Sequence, residues 1–208
     1  MPNILALTSS VAGDASVSSL LVDYAVRQLV EFHSGGAVTR RDLGQDPIPH
    51  LTPETVAGVR AVANTAPELT ARRLSDKLIG EVFAADVIVI GAPMYNFSIP
   101  TGLRAWFDHV IRPRITFAYG EAGVQGLVTG KRAIVIQSRG GLYTEGPLAS
   151  LDFHEPYLRL LLGFIGISDV AFVQAERISL GPDAREAAIN QAKSTIAVVA
   201  AQPLSDDV

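Results

Sequence analysis

The sequence predicts an α/β protein built on one doubly wound, five-stranded parallel sheet in the order 2-1-3-4-5, with helices on both faces. Three observations predict it. Short β-branched runs alternate with segments of helical periodicity along the 208 residues. The run Val87 to Ile90 is unbroken between Asp86 and Gly91, which suits a strand covered on both faces. The first, third and fourth strands each end in a loop of hydroxyl, glycine or large apolar residues, and in that strand order the three loops meet at one crevice.

Taken in order, Ile4 to Leu7 reads as the first strand and opens into a hydroxyl-rich loop from Thr8 to Ser19. A helix follows, with Leu21, Tyr24, Ala25 and Leu29 at helical spacing. Ser10, Ser16 and Ser18 surround its start, where unpaired N–H groups and the positive end of the dipole suit an anion. Plain N-capping by serine is the competing reading. Neither a Walker loop nor G-x-G-x-x-G is present. Gly35-Gly36 ends the helix, and Ala37 to Leu43 is polar enough for an edge strand. A long helix from about Pro67 carries Leu74, Leu78 and Val82 on one face, with Ile79 and Phe83 beside them, and leads into the central strand.

After that strand, Pro93 and Pro100 bracket Met94, Tyr95, Asn96 and Phe97 before a helix starts near Thr101. Large apolar groups held in such a loop suit either a wall for a flat ligand or an ordinary packed connection. Gly120 to Gly130 reads as a glycine-rich loop, and Ala133 to Gln137 as the fourth strand, stopping at Ser138-Arg139-Gly140-Gly141. Gly140 and Gly141 permit positive φ and close approach of main-chain donors, or simply a tight turn. Tyr157 to Phe164 is an apolar helix ended by Gly166. Asp169 to Gln174 is the fifth strand, and a last helix bears Ile189, Ala192, Ile196 and Val199.

Composition narrows the function classes. The 48% hydrophobic content supports a sizeable core, so one domain over 1–208 suffices. A net charge of -4, with only the short basic pairs Arg40-Arg41, Arg72-Arg73 and Lys131-Arg132, argues against a nucleic-acid scaffold; these pairs read as solvated element ends. The absence of cysteine removes disulfides, thiolate metal sites and a cysteine nucleophile, and fits a reducing cytoplasm. The opening residues read as a strand instead of a signal peptide, and no window reaches the length of a membrane span. His33, His50, His109 and His154 show no ligand spacing, and Asp152-Phe153-His154-Glu155 lacks further ligands for a metal site. Ser138 has no G-x-S-x-G elbow, which argues against a hydrolase.

The Ser9 to Ser18 loop, Ala92-Pro93-Met94-Tyr95-Asn96-Phe97, Thr116-Phe117-x-Tyr119, Gly126 to Lys131, Ser138 to Gly141 and Gly163 to Gly166 together give the chain a resemblance to the flavodoxin-like, FMN-dependent NADH-azoreductases, also described as NADH:quinone oxidoreductases. The resemblance covers nearly the whole chain. It implies non-covalent FMN whose phosphate is held by Ser10, Ser16, Val17 and Ser18. It implies that Met94, Tyr95, Asn96 and Phe97 with Ser138, Arg139, Gly140 and Gly141 hold the isoalloxazine ring. Phe97, Tyr119 and Phe164 fall in the implied substrate pocket. No side chain is implied as a catalytic acid or base, because the flavin carries the chemistry. Also implied are NADH or NADPH as donor, two-electron ping-pong reduction of quinones or aromatic azo compounds, and a cytoplasmic homodimer with FMN at the subunit boundary. A helix apolar around Leu158, Leu160, Leu161, Leu162 and Phe164 fits such a dimer. The alternatives are a flavodoxin-like one-electron carrier and a flavin-binding regulator. Pro113-Arg114 and Trp106 depart from the family pattern near the expected pocket mouth.

Overall fold

In a computed structural model, residues 1–121 and 123–204 are described; the expected domain boundary at 208 lies outside them. Five parallel strands form the sheet: β1 (Asn3–Thr8), β2 (Ala37–Asp42), β3 (Val87–Pro93), β6 (Arg132–Ser138) and β7 (Asp169–Ala175). Their spatial order is β2-β1-β3-β6-β7, the expected 2-1-3-4-5 counted along the sheet. Every residue of β3 is buried, as its unbroken apolar run requires, and β2 at the edge is mostly exposed. Asp86 sets the register at the strand start, its carboxylate accepting the Asn3 N–H at 2.7 Å.

Alternation along the strands sorts the core into two layers. Leu5 and Leu7 of β1 and Ile88 and Ile90 of β3 face α3 (Ala66–Ala84), α4 (Thr101–Val110) and α5 (Glu155–Ile165), meeting Leu78, Leu103 and Leu158. Ile4, Ala6, Val87 and Val89 face α1 (Val17–Phe32) and α6 (Pro182–Ala200), meeting Leu21 and Ile196. Each fully buried Leu or Ile of this kind contributes roughly 1.5–3 kcal/mol. α3 begins with a capping box in which the Thr65 side chain and Glu68 satisfy each other's backbone N–H.

Two elements depart from the sequence reading. A short helix, α2 (Val56–Arg60), precedes α3. The expected loop at Gly120 to Gly130 instead takes part in an antiparallel hairpin of β4 (Phe117–Gly120) and β5 (Gly123–Gly126). Its glycines hide a period-two pattern. The hairpin docks on the end of α5: a Cβ on Gly126 would lie 2.1 Å from the Gly166 nitrogen, and Val128 donates to the Ile165 carbonyl at 2.8 Å. Gly126 is therefore a close-approach glycine, and Gly166 ends α5 at φ 105. No helix among the described residues is long and apolar enough to cross a membrane.

Candidate functional site

The sheet order places the ends of β1, β3 and β6 side by side, and hydrogen bonds tie their loops together. Ser9 Oγ donates to the Gly91 carbonyl at 2.7 Å. The Tyr95 hydroxyl accepts the Val11 N–H at 3.1 Å and meets Ser10 Oγ at 3.3 Å. Met94 N–H donates to the Ser138 carbonyl at 2.8 Å. The three loops that the sequence singled out thus form one connected crevice.

On the first loop, Ser16 is the N-cap of α1, its oxygen accepting the Ser19 N–H at 3.1 Å and lying 3.3 Å from Ser18 Oγ. The capping reading holds for Ser16, and two buried hydroxyls flank the first turn of a 16-residue helix. Val17 packs its side chain into the core, which leaves its N–H as the group it can offer a ligand. Buried hydroxyls at a helix N-terminus are a donor set suited to a phosphate monoester. A cavity of about 370 Å³ beside Ser10 and Ser16 is lined by Asp14, Asp23 and Asp42 together with Arg27.

In the second loop, Tyr95 and Ser98 exchange backbone hydrogen bonds across Asn96 (φ 46) and Phe97 (φ 72). Two successive left-handed residues make the tight turn of a two-residue hairpin, normally the place of Asn-Gly. An aromatic residue at φ 72 is strained by about 1 kcal/mol or more, and the turn holds Phe97 half out in solvent, edge-on to Tyr143 at 6.4 Å.

The third loop corrects two expectations. Neither Gly140 nor Gly141 has positive φ; a Cβ on Gly140 would lie 2.9 Å from Ser179 Oγ, which would have to turn away. Their carbonyls accept from Ser179 and Arg177, while no hydrogen bond among the described residues engages their N–H groups. These two donors can meet a ring edge. Arg139 does not project at the crevice: it is fully buried, 2.8 Å from the Gln137 amide oxygen, 3.1 Å from Asp152 and 3.3 Å from Glu176. Its N–H and carbonyl are also spent, on Ala175 and Ile178. Ser138 and the two glycines are the part of this loop left open toward the crevice, and Arg139 props the loop from beneath.

Glu176, which the sequence reading missed, accepts the Tyr143 and Thr144 N–H groups at 2.7 and 3.1 Å and the Thr144 hydroxyl at 2.6 Å. Only its place just after the last strand hinted at it. Asp152 caps α5 through the N–H groups of His154 and Glu155. Burial, reinforced by Arg139, pushes the His154 imidazole down to about 3, so it is neutral, and both ring nitrogens lack a partner. Among the described residues no cluster of three or more metal-ligating side chains occurs.

The expected substrate residues separate into two groups. Tyr119 and Phe164 gather on Phe117, at ring distances of 5.5 and 4.6 Å, and Phe97 stands apart with Tyr143. Phe117, which the sequence reading quoted within a motif without giving it a role, is the buried centre. Trp106 is also not at the pocket mouth: it is buried against Phe107 at 4.9 Å. Between the Phe97 loop and α5 an apolar recess of about 580 Å³ is walled by Ile99, Phe153, Tyr157 and Leu160.

Comparison with known proteins agrees with this geometry. Residues 2–199 match the family described by its flavodoxin-like fold. The FMN-dependent NADH:quinone oxidoreductase of Hyphomonas neptunium is 56% identical over 200 residues, covering 96% of both chains. That of Ralstonia nicotianae is 45% identical over 205 residues, covering 97% of this chain and 99% of its own. Among solved structures, an azoreductase from Bacillus anthracis superposes with a TM-score of 0.87 at 27% identity, covering 97% of this chain and 99% of the other.

Proposed function

The chain belongs to the flavodoxin-like family, in the group of the FMN-dependent NADH:quinone oxidoreductases, and from that premise we propose that it is an FMN-dependent oxidoreductase. It takes electrons from NADH or NADPH and delivers two at a time to quinones and aromatic azo compounds. The observation that carries this reading is the crevice of three joined loops, with a phosphate-suited helix end at one side and two glycine N–H donors at the other. FMN supplies the chemistry when bound, relaying hydride between donor and acceptor. Ser16, Ser18 and the first-turn N–H groups of α1 hold its phosphate, with Ser10 nearby and linked to Tyr95. Met94, Tyr95, Asn96 and Phe97 wall the ring, and Ser138, Gly140 and Gly141 meet its edge. No side chain of the crevice is required to move a proton, and the chain's work is to orient flat partners and exclude water.

Donor and acceptor use the same slot in turn, a ping-pong order. The division of Phe97 from Tyr119 and Phe164 supports a homodimer in which aromatic groups of two subunits complete one slot. Leu160, 63% exposed on α5, supports the same assembly. Residues 1–208 then form one FMN-binding domain working in the cytoplasm. The relatives' activities do not favour a one-electron carrier. Steady-state turnover of menadione and an azo dye with each nicotinamide, on protein whose released flavin is identified by chromatography, tests the reading. Parallel double-reciprocal lines and FMN are expected; bound FAD, or no turnover of either acceptor, would refute it.

A further inference from the structure

A recess of about 480 Å³ lies between α2 and the turn that follows α4, and arginines 60, 72, 112 and 114 line it. The rest of its wall is apolar, chiefly Val59, Val62 and Ile115, and it contains no carboxylate. In a chain of net charge -4 this is a local reversal of sign. Three of the guanidiniums are fixed in place. Arg60 donates to the carbonyls of Ile111 and Asp108, Arg72 to those of Gly58 and Ala61, and Arg112 to Ser75 at 2.9 Å and Asp76 at 2.6 Å. Of the basic pair Arg72-Arg73, Arg72 is therefore not a solvated helix end, while Arg73 is exposed. Carbonyls accept hydrogen bonds without neutralising charge. Among the described residues only Asp76 and Asp108 oppose the four cations, and Asp108 lies 4.0 Å from Arg60 while also paired with Arg104 at 3.2 Å.

Two further observations point to a ligand. Arg112 is 7% exposed at the floor of the recess, where Ser75 and Asp76 fix its guanidinium. Arg114 is exposed and, among the described residues, its guanidinium makes no ion pair or hydrogen bond. Its backbone sits at φ 66, where glycine is free of strain and an arginine is not. Strained backbone of this kind clusters at ligand clamps and active sites.

We propose that this recess binds a small amphiphilic anion. Arg114 holds its oxyanion, a sulfonate, carboxylate or phosphate, in the field of the fixed Arg60, Arg72 and Arg112, and Val59, Val62 and Ile115 take an apolar body attached to it. The site is distinct from the phosphate end of the crevice. It is linked to the aromatic hairpin, because the Arg114 N–H donates to the Phe117 carbonyl at 2.6 Å.

The test is calorimetric titration of the flavin-loaded protein with 2-naphthalenesulfonate, with 2-naphthol and inorganic sulfate as the uncharged and bodiless controls, in wild type and Arg114→Gly. The sulfonate is expected to bind more tightly than either control, and less tightly as salt rises. Arg114→Gly is expected to weaken it roughly tenfold, the effect of losing one charge-assisted hydrogen bond. Flavin retention should stay unchanged and Tm should be equal or higher, since glycine relieves the strain. Undetectable binding of the sulfonate, equal affinity in the variant, or equal affinity for 2-naphthol overturns the proposal. Each readout is independent of turnover.

Discussion

The crevice at the strand ends and the aromatic rim on the hairpin and α5 are built in opposite ways. In the crevice, side chains find partners within the chain: Ser9 with Gly91, Tyr95 with Val11, Arg139 with Asp152 and Glu176. On the rim, Tyr119 is 76% and Leu160 63% exposed, and only Phe117 gathers the rings. A site that must hold one rigid cofactor gains from preorganisation. A site that must admit different flat acceptors gains from open aromatic surface, to be closed by whatever docks there. Cofactor retention should therefore fail when internal partners are removed, and acceptor turnover when exposed rings are.

The largest effect is expected from Arg139→Met. It strips a buried cation from Asp152 and Glu176, an operation that costs on the order of 3–5 kcal/mol, and should loosen the Gly140 to Thr144 loop. Denaturant melts and flavin retention check it; a wild-type Cm with intact flavin binding would show that the crevice does not depend on this prop.

Next comes pH. The folded His154 imidazole titrates near 3, well below its unfolded value, so the unfolded chain takes up the proton first as pH falls. Stability present above about pH 6.5 is then lost down to about pH 3, by roughly 3 kcal/mol at pH 4 from this residue alone. His154→Phe should flatten the dependence of Cm on pH in that window. An unchanged slope would place the acid sensitivity in the carboxylates around Arg139.

Changing Ser16 and Ser18 together to Ala sharpens the comparison from the cofactor side. Each hydroxyl bonded to a charged phosphate contributes roughly 1.5–3 kcal/mol, so FMN affinity should drop by an order of magnitude or more. The fold should lose only about 1 kcal/mol, from the missing N-cap. Equal flavin affinity, measured by equilibrium dialysis, would reduce both serines to helix capping. The smallest effect is expected on the rim. Tyr119→Ala should slow reoxidation by a quinone or azo dye several-fold, in line with an aromatic contact of about 0.5–1.5 kcal/mol, without changing FMN content. Stopped-flow traces of the two half-reactions check this. A variant that instead loses flavin would mean that the rim is part of the cofactor site.

The sequence by itself determined the strands and helices, because strands buried on both faces and helices buried on one write their periods directly into the chain, as in Val87 to Ile90 and Leu74, Leu78 and Val82, while the strand order came with the doubly wound fold type. Given that order, it also marked which three loops would meet, since convergence follows from strand order. The tertiary structure decided what each loop residue does. The direction of Arg139 was illegible, because a guanidinium beside two glycines serves equally as a ligand or as a prop, and the choice rests on Asp152 and on Glu176, 37 residues away. The hairpin was hidden because Gly120, Gly123 and Gly126 erase the alternation that marks a strand, and only docking against Gly166 gives it shape. The four-arginine recess was likewise beyond the sequence. Arginines at 60, 72, 112 and 114 become neighbours only once α2 and the end of α4 are packed side by side, and a charge cluster made by packing leaves no mark on local composition.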